Sequence, residues 1–336
     1  MNAVDRFNLI KQNTVEILTD DELRNLLKQK KIFAYWGVAP TGPFHIGYLT
    51  ALTKIFDFEK AGIKTKILIA DIHAALDDLK TPWDKIDERA KYYKKCIELS
   101  IPWKEKPLFV FGSEFQLDRN YQLDVLKLST FTTIKRATRA ASEVVRMKNP
   151  KVSELIYPLM QALDEEYLGV DIQLAGKDHR QILAFAREYL PKLGYKPRVE
   201  VMTPLVASLK GPGQKMSASI PETCIKVYES EDTIKEKIRK AYCPEGVVEN
   251  NPILQLYKFF VFPIRNKVLI KRDEKFGGDV EFEFYEDLER SFKQKEIHPL
   301  DLKNNLAEEL INTFSKVRKY FEKHKEELKE LGEQFT

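Results

Sequence analysis

Ala34-Tyr35-Trp36-Gly37-Val38-Ala39-Pro40-Thr41-Gly42-Pro43-Phe44-His45-Ile46-Gly47-Tyr48 changes character twice. Phe33 to Val38 reads as a short buried strand, Pro40-Thr41-Gly42-Pro43 breaks it, and His45 to Ala61 reads as a helix closed by Gly62. Such a turn suits a phosphate. Gly37 and Gly47 let a ligand approach the backbone, and the helix end offers unpaired N–H groups with positive partial charge. An imidazole at that helix start can donate to phosphate oxygens as charge builds at an attacked α-phosphorus. It can equally do no more than cap the helix.

About 170 residues beyond His45 stands Lys215-Met216-Ser217-Ala218-Ser219, after Lys210-Gly211-Pro212-Gly213. This Gly/Pro/Ser loop has no apolar periodicity. Its lysine reads as a movable charge for a triphosphate, with Ser217 and Ser219 as hydroxyl donors; the plainer reading is a surface lysine in a linker. Further apolar strands are expected at Lys66–Ala70, Leu108–Phe111, Val170–Gly176 and Val199–Met202. Helical spacing covers Trp83–Leu99, a long basic stretch Tyr121–Met147, Val152–Tyr167 and His179–Leu193. This alternation predicts an α/β fold with a Rossmann-like, doubly wound parallel sheet, which binds nucleotides at the carboxyl ends of its strands. Residues 1–31 read as two polar helices. Near residue 230 the pattern turns helical and charged, with one looped interruption at Arg272–Gly278. The expected domains are therefore 1–230 and a smaller α-helical 231–336.

The composition narrows the class. Hydrophobic residues are 43% of the chain, enough for a normal core, and the 32% of charged residues balance to +4, so disorder is not expected. Any contact with a polyanion must use a local patch. Cys96, Cys224 and Cys243 are scattered, and the five histidines form no metal-ligand cluster. Neither disulfides nor a protein-held metal is expected, which fits a reducing cytoplasm. The N-terminus lacks a signal-peptide apolar segment and no run reaches membrane-spanning length, so no membrane partner is expected.

Tyr157, Gln161 and Asp164 are spaced by four and three, which puts a phenol, an amide and a carboxylate on one helix face. They sit among Leu155, Ile156, Leu159 and Leu163. With Tyr35 from the first strand, this stripe reads as a pocket wall for an amino acid carrying a hydroxyl; otherwise it is the wet side of the helix. Asp178, beside Gly176 at a strand end, suits a ribose hydroxyl, or only caps the next helix. From Lys135 to Lys151 the basic residues Lys135, Arg136, Arg139, Arg146, Lys148 and Lys151 face Glu143 alone. That is either a phosphate-contacting face or a solvated one.

The two loop segments resemble the HIGH and KMSKS signatures of class I aminoacyl-tRNA synthetases. The whole chain resembles the tyrosyl-tRNA synthetase family of eukaryotic and archaeal type, in its short form without appended domains. The matching runs are AYWGVAPTGPFHIGY (34–48), ADIHAALDD (70–78), GSEFQLDRNYQLDVLKLS (112–129), LIYPLMQALDEEYLGVD (155–171), KMSAS (215–219), KAYCPEGVVENN (240–251), RDEKFGGD (272–279) and HPLDLKN (298–304). The resemblance implies that Tyr35 and Asp164 bond the substrate's phenolic hydroxyl, and that Tyr157 and Gln161 surround its α-amino group. It implies an ATP side formed by Gly37, Gly47, Tyr48, Gly176, Asp178 and Met216, with His45, Lys215, Ser217 and Ser219 acting on the phosphates. Arg180 matches the residue that reads the first acceptor base pair. Phe276 and Asp301 match residues holding the first anticodon base, with His298 and Lys303 in the same segment, so 231–336 would be an anticodon-binding domain.

The implied activity is an ATP-dependent tyrosine–tRNA ligase. It would use ATP with Mg2+ carried by ATP, take tyrosine and tRNA(Tyr), and work as a cytoplasmic homodimer. Three positions depart from the family pattern. Tyr48 replaces the second histidine of HIGH and Ala218 the fourth residue of KMSKS, both familiar in this branch. His179 stands where the family usually has glutamine against the amino acid's backbone groups; a neutral imidazole also donates and accepts. A tryptophanyl-type synthetase is the nearest alternative, but an indole has no hydroxyl to satisfy a buried carboxylate. A non-catalytic RNA-binding paralogue should have lost His45, Lys215 or the pocket.

Overall fold

A computed structural model describes residues 1–145, 149–217, 220–265 and 267–332, with backbone alone for Gln214 and Lys215. The chain forms two compact units. One comprises Met1–Gly42, Lys54–Lys94 and Glu105–Pro204; the other Pro43–Thr53, Lys95–Lys104 and Leu205–Thr336.

The first unit is built on strands β1 (Glu16–Leu18), β2 (Phe33–Val38), β3 (Lys64–Ile69), β4 (Leu108–Phe111), β5 (Ile172–Gly176) and β6 (Val199–Thr203), in spatial order β1-β6-β5-β2-β3-β4. All neighbours are parallel except β1 with β6. β2, β5 and β6 are buried along nearly their whole length, as a parallel sheet covered on both faces requires. From β2 the chain winds outward to β3 and β4, then returns to place β5 on the other side of β2. The carboxyl ends of β2 and β5 thus flank the point where strand order reverses, the binding crevice of an open α/β sheet. Gly62, at φ +73°, ends the helix Leu49–Lys60 as its sequence predicts.

Two expectations in this unit need correction. Residues 1–31 hold the helices Ala3–Lys11 and Asp20–Leu26, but β1 lies between them and extends the sheet edge. The stretch Tyr121–Met147 is not one helix: Arg119–Phe131 and Ile134–Ala141 are separated at Thr132-Thr133, where the Thr133 hydroxyl accepts from the Arg136 amide at 3.2 Å. Arg146, Met147 and Lys148 lie outside the described residues.

The second unit contains the hairpin β7 (Ala207–Ser208) with β8 (Gly211–Lys215), then helices including Glu231–Lys240, Tyr285–Lys293, Pro299–Thr313 and Ser315–Lys323. Its core stacks Phe260 on Phe314 and packs Tyr228 against Phe321. The expected loop at Arg272–Gly278 is the turn of a hairpin, β9 (Val268–Ile270) with β10 (Val280–Phe282). No helix of the described residues is long and apolar enough to cross a membrane. Cys96, Cys224 and Cys243 are buried and not joined in disulfides.

Candidate active site

The helix Val152–Tyr167 brings the polar stripe inside the first unit. Asp164 is 1% exposed and Tyr35 fully buried. Asp164 Oδ1 accepts from Gln116 Nε2 and from the Tyr121 hydroxyl, both at 2.8 Å, while Oδ2 accepts no hydrogen bond from the described residues. Burial pushes the Asp164 carboxyl up to about 8 against the pull of those two donors. The Tyr35 hydroxyl donates to the Gln161 carbonyl at 3.4 Å, and burial together with the Asp164 charge holds its phenol well above the usual range. A buried carboxyl with one uncommitted oxygen, beside a buried phenol, makes a receptor for a hydroxyl: a substrate without one would leave polar groups unpaired.

The rest of the stripe faces histidines. The Tyr157 ring packs edge-on against His73 at 4.6 Å. The His73 Nδ1 lies 3.3 Å from Gln116 Nε2, whose donation puts the imidazole proton on Nε2, 3.8 Å from Asp164 Oδ2. Burial, then the charge of His179, drives His73 down to about 3, so it is neutral at physiological pH. His179 follows β5 in a short turn, and its Nδ1 is 3.1 Å from Gln161 Oε1. Gly176 ends β5 and Asp178 lies in the same turn, partly buried. Gln116, Tyr121 and His73 were not singled out from the sequence. Gln116 and His73 are lone polar residues without periodic signal, yet both lie in runs that carry the family resemblance. Asp71 accepts from the Ser113 amide and hydroxyl at 2.8 and 2.6 Å, which holds the turn leading to Gln116.

In the second unit the two signature loops meet. The Ile46 amide donates to the Ile225 carbonyl at 2.9 Å, the Val227 amide to the Phe44 carbonyl at 3.2 Å, and His45 bridges Lys226. His45 caps the short turn Ile46–Tyr48, its Nδ1 accepting from the Gly47 amide at 3.1 Å, and its ring packs on Tyr48 at 4.6 Å. A Cβ at position 47 would lie 2.6 Å from His45 Cε1 and 3.4 Å from the Cβ of Met216. Only glycine therefore lets the imidazole lie over the turn with Met216 beside it. The Met216 amide donates to the Val206 carbonyl at 3.4 Å, and Thr223 ties the loop back to Ser217, accepting from its amide at 3.2 Å and donating to its carbonyl at 2.9 Å. Ser219 and the side chain of Lys215 lie outside the described residues. A Cβ on Gly37, on β2 in the other unit, would lie 3.4 Å from the Tyr35 ring.

Of the candidate RNA contacts, Arg180 makes a bidentate pair with Glu16 on β1 at 2.7 and 2.8 Å. Phe276 is 62% exposed at the β9–β10 turn, with the Lys275 ammonium 4.9 Å from its ring. His298 caps the helix Pro299–Thr313, its Nδ1 accepting from the Leu300 amide at 3.1 Å, and Asp301 sits in the first turn. Lys303 donates to the Arg239 carbonyl at 3.0 Å. Asn305, not foreseen, clamps this helix to the hairpin: it accepts from the Lys271 amide at 3.0 Å and donates to the Lys271 and Asp301 carbonyls at 3.1 and 2.8 Å. Among the described residues no group of three or more His, Cys, Asp or Glu could hold a metal ion.

Residues 27–315 match the family model described as tRNA synthetases class I (W and Y). The chain is 45% identical over 322 residues to a tyrosine–tRNA ligase of Archaeoglobus fulgidus, covering 95% of this chain and 98% of that protein. It is 42% identical over 332 residues to the cytoplasmic tyrosine–tRNA ligase of Danio rerio, covering 97% of this chain but 62% of that relative's length. The crystal structure of the Archaeoglobus fulgidus tyrosyl-tRNA synthetase complexed with L-tyrosine superposes with a TM-score of 0.90 at 43% identity, covering 95% of this chain and 99% of that one. With matches of this length, the chain belongs to the class I tRNA synthetases of the W and Y type, and within them to the tyrosine–tRNA ligase family.

Proposed function

We propose that this chain is an ATP-dependent tyrosine–tRNA ligase. The observation that carries the reading is Asp164: a buried carboxyl held on one oxygen by Gln116 and Tyr121, with the other uncommitted, is built to receive a substrate hydroxyl. In this reading Tyr35 and Asp164 hold the phenol, Tyr157, Gln161 and His179 hold the α-amino and carboxyl groups, and Gly176 and Asp178 bind adenosine. The tyrosine carboxylate attacks the α-phosphorus of ATP, forming tyrosyl-adenylate as the bond to pyrophosphate breaks. A terminal ribose hydroxyl of tRNA(Tyr) then attacks the adenylate carbonyl, taking the tyrosyl group and releasing AMP. No protein nucleophile is needed. His45 and Lys215 stabilise charge developing on the phosphates, Ser217 and Ser219 donate to them, and Gly37, Gly47, Tyr48 and Met216 shape the nucleotide side. Mg2+ enters with ATP.

The segment 231–336 is proposed to hold the anticodon through Phe276, His298, Asp301 and Lys303, with Arg180 and the basic face near Lys135 on the acceptor stem. An exposed, unstacked aromatic such as Phe276 is a suitable platform for a base. A cytoplasmic homodimer is part of the reading. Its support is a set of exposed apolar side chains on the first unit: Leu108 on the edge strand β4, and Leu117, Leu123 and Leu126 after it in sequence. The tryptophan alternative is disfavoured because an indole cannot pair the uncommitted carboxyl oxygen of Asp164. Labelled tyrosine with ATP and a tRNA(Tyr) transcript should give acid-precipitable tyrosyl-tRNA; RNA binding without charging, with all components active in control enzymes, contradicts the proposal.

A further inference from the structure

The register of the sheet lines up a polar row that the chemistry above does not use. Tyr35 on β2 pairs with Gln173 on β5, and Gln173 with Glu200 on β6. Residues in lateral register project from the same sheet face. The helix Val152–Tyr167 covers that face, since the Tyr35 hydroxyl reaches its Gln161 carbonyl. Beside Asp164 on this helix, Glu165 faces the Glu200 carboxyl closely enough for each acid to shift the other. Both glutamates are fully buried, and Gln173 is 2% exposed. No donor among the described residues reaches any of the four carboxyl oxygens, and Gln173 Oε1 is equally unpartnered.

The charged groups around the pair do not relieve it. Arg187, from the helix Arg180–Tyr189, donates to the Leu18 and Arg198 carbonyls and to Glu22. Arg198, which precedes β6, donates to the Val170 carbonyl and to Glu166. Their charges reach the pair, but the hydrogen bonds they make go to other partners. Asp164 and Tyr35 face it from the pocket side. Two ionised carboxylates in contact, dry and without donors, are not a stable arrangement; a proton between them supplies the missing donor. Burial raises both acids well above the carboxylate range, and for Glu200 the Glu165 charge adds to it.

We propose that Glu165 and Glu200 share one proton as a positioning pair, clamping the helix to β6 at the residue next to Asp164 and so fixing the carboxyl that receives the substrate hydroxyl. The proposal rests on reading the Asp164 pocket as the tyrosine site. Loss of the proton at alkaline pH releases the clamp and adds negative charge beside Asp164 and Tyr35. Tyrosine affinity should then fall while the chemical step is spared.

The test is tyrosine-dependent ATP–pyrophosphate exchange by the full chain, E200Q and E165Q, from about pH 6.5 to about pH 9.5, with melting curves in each buffer. In the wild type, KM for tyrosine should rise about tenfold across the alkaline half while kcat changes less than about twofold, each pH unit past the titration removing tenfold of the protonated form. Either glutamine variant supplies an amide donor to the remaining carboxylate and should flatten that rise. Difference infrared spectra should show, beside the protonated carboxyl of Asp164, a second protonated carboxyl near neutral pH that disappears in both variants. Superimposable KM profiles in wild type and a folded variant, or no variant-sensitive carboxyl band, overturn the proposal; the band decides it even where a variant melts early. Wild-type enzyme with no tyrosine-dependent exchange would overturn the functional reading instead, leaving the infrared result to judge the pair.

Discussion

The Gly47 amide donates to His45 Nδ1 at 3.1 Å, so the imidazole keeps its proton on Nε2, the nitrogen that carries donor capacity away from the turn. The turn thus sets both the tautomer and the tilt of the ring. A methyl group at position 47 would strike His45 Cε1 at 2.6 Å. Gly47→Ala should therefore displace the imidazole and lower kcat for pyrophosphate exchange by about 100-fold, with KM for tyrosine nearly unchanged. A rise in KM with kcat preserved would show that His45 does not act on the phosphates.

Tyr121 and Gln116 hold Asp164 on the same oxygen. Tyr121→Phe removes one donor and leaves the carboxyl under-satisfied, a cost of about 1–3 kcal/mol. Tyrosine KM should rise about tenfold, and discrimination against phenylalanine should weaken. Asp164→Ala should lose most of that discrimination, which spans several orders of magnitude where a site is built for a hydroxyl, a tyrosyl synthetase being itself the worked case. Parallel exchange assays with tyrosine and phenylalanine measure both. An unaltered ratio in either variant contradicts the pocket assignment.

His73 gives the fold an acid limit. Its pKa falls from 6.5 to about 3 on burial, so the unfolded chain takes up a proton that the folded chain refuses. The stability this contributes is complete above about pH 6.5 and disappears as pH falls through about 3, with a slope approaching about 1.4 kcal/mol per pH unit inside that window. His73→Gln should melt with a shallower acid limb. Equal slopes for the two proteins would show that His73 is accessible to protons in the folded state.

Much of this was legible in the sequence because it is local. The β2 turn, the helix Val152–Tyr167 and its polar stripe follow from residues a few positions apart. β1 was missed because three residues between polar helices cannot show alternation. The β9–β10 hairpin was read as a loop because its strands are three residues each and its visible signal is the Gly277-Gly278 turn. Gln116 and Tyr121 were missed because they reach Asp164 from more than 40 positions away. The pairing of Glu165 with Glu200 depends on strand register, which no sequence spacing records.

The hairpin and the helix Pro299–Thr313 are joined by Asn305, so Phe276 and Asp301 are held by one clamp. Phe276→Ala, which removes a stacking face worth roughly 1–3 kcal/mol per base, and Asp301→Ala, which removes a polar base contact of about the same size, should each reduce charging of tRNA(Tyr) by about tenfold. Tyrosine activation should stay near normal in both. Activation falling in step with charging would place these residues in the support of the fold rather than in RNA recognition.

The central claim is that the Asp164 pocket selects tyrosine. Its most direct test is the amino-acid dependence of ATP–pyrophosphate exchange by the unmodified chain, measured as kcat/KM for tyrosine, phenylalanine and tryptophan. The account predicts exchange with tyrosine that exceeds both others by at least about 1,000-fold, as expected of a site that pairs a hydroxyl. Exchange with tryptophan equal to or above that with tyrosine would contradict it.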